Sequence, residues 1–133
     1  MVGGQVLVVE DNERNMKLFR DVLAASGYRT LEAKTGGEAV ELVRRHRPQV
    51  ILLDVQLPYI DGVEVLRTIR TDARTAFLPI VAITAQAMDG DRERFLSAGF
   101  DEYLPKPVDV RELLDVVRRY CPSVGDRVAR TAD

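Results

Sequence analysis

The stretch that most constrains the fold is Val50-Ile51-Leu52-Leu53-Asp54, where four consecutive apolar side chains stop abruptly at a carboxylate. Pro48 precedes the run, and Pro58 and Gly62 follow it. A short apolar run bounded by turn signals reads as a strand buried on both faces, the kind found in parallel sheets. Asp54 then stands at the carboxyl end of a central strand, the edge at which open α/β sheets gather ligands and chemistry. Taken alone, Asp54 is as readily a helix cap or a turn residue. Three other strand-like runs, however, end in residues of equal chemical interest.

In chain order, Val6-Leu7-Val8-Val9 is a first buried strand, and it ends in Glu10-Asp11. Asn12 suits the N-cap of a helix carrying Met16, Phe19, Val22 and Leu23 on one face and closed by Gly27. Residues 28–33 read as a weaker, more polar strand, as suits a sheet edge. Thr35 with Glu38 makes a capping-box pattern for a helix to about His46, with Ala39, Leu42 and Val43 inward. Pro48 prevents its continuation. After a loop over residues 55–62, a third helix carries Val63, Leu66 and Ile69.

A polar connection, Thr71 to Thr75, leads through Pro79 to the buried strand Ile80-Val81-Ala82-Ile83, ending at Thr84. The next helix, about Asp89 to Ala98, is mostly polar apart from Phe95 and Leu96 and stops at Gly99; its weak amphipathicity predicts a loosely held element. Residues 101–105 form a fifth strand, followed by Lys106-Pro107. Asp109 with Glu112 opens a last helix bearing Val110, Leu113, Val116, Val117 and Tyr120. Five strands alternating with five helices demand right-handed crossovers and a parallel sheet covered on both faces.

A chain of 133 residues can bury a core without staples, so one domain over residues 1–120 is expected, with a flexible tail over 121–133. The net charge of −2 argues against a nucleic-acid surface. The single cysteine, Cys121, excludes an intramolecular disulfide and reads as an incidental tail residue; His46 reads as a solvated surface residue. Neither a signal-like N-terminus nor a segment of membrane-spanning length is present. The expectation is a cytoplasmic protein with no membrane partner.

In a parallel sheet, Glu10, Asp11, Asp54, Thr84 and Lys106 all lie at one edge, since each closes a strand. Neighbouring strands are ~5 Å apart, close enough for such residues to share a pocket. Three carboxylates there repel one another, and a bound divalent cation removes that penalty. Oxygen-only ligands suit Mg²⁺ or Mn²⁺ rather than zinc. With the Lys106 ammonium and the Thr84 hydroxyl added, the edge suits a phosphoryl group, and Asp54 would be the nucleophile that forms an acyl phosphate.

These motifs, Glu10-Asp11-Asn12, Leu53-Asp54 with Pro58 and Asp61-Gly62, Thr84-Ala85 and Tyr103-Leu104-Pro105-Lys106-Pro107, resemble the receiver domain of two-component response regulators from Gln5 to Tyr120. Residues 10–19, the Gln56-Leu57-Pro58 after Asp54 and residues 84–88 look most like single-domain regulators of bacterial cell division and polarity. Similar segments occur in receivers fused to hybrid histidine kinases. The resemblance implies a flavodoxin-like (CheY-like) α/β fold: a doubly wound five-stranded parallel sheet, order 2-1-3-4-5, with five helices.

It also implies roles. Asp54 accepts a phosphoryl group from a histidine kinase or histidine phosphotransferase. Asp11, Asp54 and the main-chain carbonyl of Gln56 hold Mg²⁺, with Glu10 helping directly or through water. Lys106, Thr84 and the amide of Ala85 bond to the phosphoryl oxygens. Thr84 and Tyr103 form the switch, and Gln56 and Gln86 tune hydrolysis of the acyl phosphate. A cis peptide is expected at Lys106-Pro107, and a downstream protein target is expected to bind the fourth helix, fifth strand and fifth helix.

The reading is a signalling module that catalyses only its own phosphorylation and dephosphorylation, either free-standing, as the length suggests, or cut from a hybrid kinase. A phosphatase with an aspartyl nucleophile commonly has a second Asp two residues on, where this chain has Gln56. A flavin or nucleotide binder lacks support, because no Gly-rich loop follows the first strand.

Overall fold

A computed structural model describes residues 4–57, 61–85 and 90–121. Pro58, Gln86, Asp89 and the tail from Pro122 onward lie outside the described residues. The elements alternate as β1 (Gln5–Val9), α1 (Glu13–Ala25), β2 (Arg29–Ala33), α2 (Gly36–His46), β3 (Val50–Asp54), α3 (Gly62–Thr71), β4 (Ile80–Thr84), α4 (Asp91–Ala98), β5 (Glu102–Pro105) and α5 (Val110–Tyr120). All strand pairs are parallel and the order is β2-β1-β3-β4-β5, as expected.

The strands β3 and β4 are buried at every residue, because apolar side chains on both faces meet helices. Leu7, Val9, Ile51, Leu53 and Ala82 pack with Val43, Leu66 and Phe95 of α2, α3 and α4. The alternate residues Val6, Val8, Leu52 and Ile83 pack with Met16, Phe19 and Leu23 of α1 and Leu113 and Val117 of α5. This division of the helices makes the sheet doubly wound.

The predicted caps form. Asn12 accepts from Asn15 N–H at 3.0 Å, Thr35 from Glu38 N–H at 3.2 Å, and Asp109 from Arg111 and Glu112 N–H at 2.8 and 3.1 Å. Glu38 reaches back to Lys34 N–H at 3.2 Å, one residue before the cap.

Several packing expectations need correction. On α3 the buried stripe is Gly62, Val65, Leu66 and Ile69, while Val63 is only partly covered. Leu96 (37% exposed) and Val110 (41%) face outward, for α4 buries only Phe95 and Val110 sits at the overhanging first position of α5. Cys121 is not incidental. It continues the Leu113, Val117 spacing by one further turn, is fully buried, and its thiol lies 3.5 Å from Gln49 Oε1.

The polar connection after α3 is also structural. Thr75 is buried and donates to Ile69 C=O at 2.8 Å. Arg70 donates to the carbonyls of Ala76, Leu78 and Gly99 and to Asp101, whose carboxylate also accepts from Ile80 N–H at 2.8 Å. Residues 72–79 are thereby fixed at the amino-terminal edge of the sheet.

Candidate functional site

The strand register carries Glu10, Asp54, Thr84 and Lys106 to the same edge. Val9 is level with Leu53, Asp54 with Ile83, and Thr84 with Pro105, so the next residue in each strand emerges beside its neighbour. Because β1 is flanked by β2 and β3, the chain leaves it for one side of the sheet and returns to the other, and this reversal opens a crevice at the carboxyl ends of β1 and β3. Glu10-Asp11 and Asp54 form its two lips.

Lys106 Nζ crosses from β5 to donate to Asp54 Oδ2 at 2.8 Å and lies 3.4 Å from Glu10 Oε1. Its backbone N–H donates to Thr84 C=O at 2.8 Å, and the Lys106-Pro107 peptide is cis. Gln56 N–H donates to Asp54 Oδ1 at 2.9 Å. The loop after β3 folds back because Gly62 allows it. A Cβ there would lie 2.5 Å from Val55 Cα, and Gly62 N–H donates to Val55 C=O at 3.1 Å.

Two carboxylates in this crevice are almost sealed from solvent. Glu10 is 1% exposed and Asp54 is 3% exposed, while Asp11 is exposed. Burial, then the neighbouring Asp54 carboxylate, push Glu10 up to about 7 despite its contacts with Asn15 and Lys106. Burial alone would raise Asp54 too. The bonds from Glu10, Lys106 and Gln56 N–H outweigh it and hold Asp54 below the ordinary carboxylate range. Lys106 is likewise opposed by burial, yet Asp54 and Glu10 raise it above the usual lysine value. The crevice thus favours ionisation of Asp54 over that of Glu10.

Glu10 Oε2 is buried with no hydrogen-bond partner, and one oxygen each of Glu10, Asp11 and Asp54 lie within 4.8 Å of one another. A bare, buried carboxylate oxygen beside two others is the arrangement that a small hard cation satisfies. The donor set therefore fits Mg²⁺ or Mn²⁺.

Among the other expected site residues, Thr84 is buried at the end of β4, and Ala85 N–H donates weakly to Gln56 Oε1 at 3.4 Å. Tyr103 is partly buried and stacks on Phe95 at 5.7 Å, and Phe95 meets Phe100 edge-on at 5.8 Å. Gln86 lies outside the described residues. Sequence reasoning missed Asn15, whose side-chain amide donates to Glu10 Oε1 at 2.6 Å and fixes its orientation. Its place one helical turn after Asp11, in the first turn of α1, was the available signal.

Comparison with known proteins gives a consistent result. Residues 6–118 match the family described as response regulator receiver domain. The chain is 45% identical to the polar-differentiation response regulator DivK of Brucella anthropi over 115 residues, covering 86% of this chain and 94% of that protein. It superposes with a TM-score of 0.81, at 39% identity, on the receiver domain of a Pseudomonas aeruginosa sensor histidine kinase that has a magnesium ion coordinated in its active-site cleft, covering 89% of this chain and 97% of that one. A chemotaxis protein, CheY4 of Vibrio cholerae, superposes with a TM-score of 0.80 at 27% identity, covering 87% and 97%. With the family match spanning nearly all of the described core, the chain belongs to the response regulator receiver domain family.

Proposed function

We propose that the chain is a phosphorylation-dependent switch in which Asp54 takes a phosphoryl group from the phosphohistidine of a histidine kinase or histidine phosphotransferase. The observation that carries this reading is the 2.8 Å bond from Lys106 to an Asp54 carboxylate held ionised below its ordinary pKa, two strands away across β4 and beside an orphaned Glu10 oxygen. An ionised Asp54 is the form that attacks phosphorus. The phosphorus–nitrogen bond to the donor imidazole breaks as the new phosphorus–oxygen bond forms.

Lys106 stays in contact with the anionic oxygens, while the Thr84 hydroxyl and the Ala85 amide complete the cradle. Asp11, Asp54, the Gln56 carbonyl and Glu10 would hold the divalent cation, which supplies charge neutralisation to the transferring group. Glu10 must release its proton for that. Gln56, two residues after Asp54, and Gln86, two residues after Thr84 in the sequence, set water access and so phosphate lifetime.

Transfer to and from Asp54 would be the only reaction, so the output is binding. A phosphoryl group shifts the equilibrium by its differential contacts to Thr84 and Ala85. The Phe95–Tyr103 stack joins α4 to β5, so the face of α4, β5 and α5 is where a protein target would sense the change. Kinship with a polar-differentiation regulator favours a role in cell polarity or division, in the cytoplasm where kinases present phosphohistidine. Kinship with the Pseudomonas receiver favours an alternative, service as the receiver of a hybrid kinase.

Incubation with acetyl phosphate and Mg²⁺, followed by intact mass, tests the reading. One phosphoryl adduct per chain is expected, absent in Asp54→Asn and without Mg²⁺. An adduct that persists in Asp54→Asn, or none in the native chain, overturns it.

A further inference from the structure

Phe77 is 73% exposed, the most exposed of the large apolar side chains among the described residues. An exposed ring on a flexible loop would be unremarkable, since soluble proteins leave many apolar atoms in water. Phe77 is not on such a loop. The carbonyls on either side of it, of Ala76 and Leu78, both accept from Arg70, Leu78 is buried in the core, and Leu78 N–H donates to Thr75 C=O at 3.1 Å. The main chain is therefore held on both sides of Phe77, so little backbone ordering entropy remains to be lost when something covers the ring.

The connector that carries Phe77 also carries one end of an arginine cluster. Asp72, in the same connector, pairs with both Arg74 (3.3 Å) and Arg44 of α2 (3.6 Å), a single carboxylate between two guanidinium groups. Arg45 follows on α2, paired only with Glu41. Beyond them Arg47 ends the helix with φ 47°, in the left-handed region, and its side chain has no partner among the described residues. Glycine or asparagine fills such a position without the steric cost that arginine bears. Four arginines thus face two carboxylates on a chain whose net charge is −2. Arg44 and Arg45 also line an open groove of about 740 Å³ between α2 and α3, together with Val40, Glu41 and Thr68.

We propose that Phe77 and this arginine cluster form a docking surface for a protein partner whose contact segment carries carboxylates around apolar side chains. The surface lies at the amino-terminal edge of the sheet and does not depend on the phosphoacceptor reading. An exposed aromatic on the same short connector as Arg74, with Arg44 tied to that connector through Asp72, has the composition of a binding hot spot. The cluster keeps an excess of positive charge, four guanidinium groups against two carboxylates, and a guanidinium takes a carboxylate bidentately, so a segment bearing carboxylates complements it. A second copy docked face to face would oppose arginine to arginine.

The test is an amide-resolved NMR titration with a capped synthetic helix-forming peptide carrying leucine and tryptophan among glutamates, alongside its counterpart with lysine for glutamate. Saturable shifts confined to Phe77, Arg74, Arg44 and Arg47 are expected with the acidic peptide only, weakening as salt rises. Phe77→Ser should weaken binding about tenfold or more. Arg47→Gly separates role from structure: it relieves the backbone conformation, so the unfolding midpoint rises while the acidic peptide binds about threefold or more weakly.

No saturable shift at these residues, equal binding of the lysine peptide, or unchanged affinity in both variants would overturn the proposal. So would sedimentation of the native chain, but not Phe77→Ser, with phosphatidylglycerol vesicles, or self-association that Phe77→Ser abolishes.

Discussion

At the amino-terminal edge of the sheet, Arg70 is answered by the carbonyls of Ala76, Leu78 and Gly99 and by Asp101, whereas at the carboxyl edge Glu10 is buried with one oxygen unanswered. The same strands end in both places, so the contrast belongs to the side chains rather than to the topology. The Arg70 cluster is complete and only stabilises. The Glu10 crevice is left incomplete, and under the proposed function a cation entering it would stabilise it, so there stability and function would oppose each other.

The largest test of this contrast is Arg70→Ala, which strands several buried carbonyls and should cost roughly 3 kcal/mol in urea unfolding. Arg70→Lys should recover little, because one ammonium cannot bridge sites on both sides of it. A small loss would show that the amino-terminal edge is not held by this residue.

Gly62→Ala probes the carboxyl edge by packing instead of charge. The added methyl meets the Val55 backbone, which cannot swing aside, and should cost about 2 kcal/mol. Metal should not recover that loss.

The third prediction concerns pH without metal. The pKa of folded Glu10 is pushed up to about 7, while an unfolded glutamate loses its proton near the ordinary value of 4.5. Between those values the folded chain binds more protons, so stability falls as pH rises, by on the order of 1–3 kcal/mol. Denaturation in chelator across that window should show the slope, and Glu10→Gln should flatten it while weakening Mg²⁺ binding. Saturating Mg²⁺ should reverse its sign. Smallest of all, Val110→Ser on the exposed start of α5 should change stability by no more than about 0.5 kcal/mol.

Much of this was legible in the sequence because it is local. The apolar runs of β1, β3 and β4, the caps Asn12, Thr35 and Asp109, and the polar residues closing each strand lie within windows of a few positions, and a parallel sheet converts them into one edge. Arg70 was not legible. Its partners Gly99 and Asp101 lie some thirty residues away, and a guanidinium on a helix end normally reads as solvated. Cys121 was within reach, since the four-residue spacing from Leu113 through Val117 pointed to it. Val65 was hidden by assuming a narrower stripe on α3 than the sheet covers. The bare oxygen of Glu10 could not have been read at all, because it results from what the fold leaves out.

Helix α4 is secured unequally along its length. Its start, at Gly90, has no side-chain cap, and Phe95 alone is buried, whereas the chain leaving it is clasped by Arg70 at Gly99 and Asp101. The strength of attachment therefore runs along the helix, one buried ring in its body and a guanidinium clasp just past its end. The entrance to the fifth strand inherits that clasp, because Asp101 also accepts from Ile80 N–H.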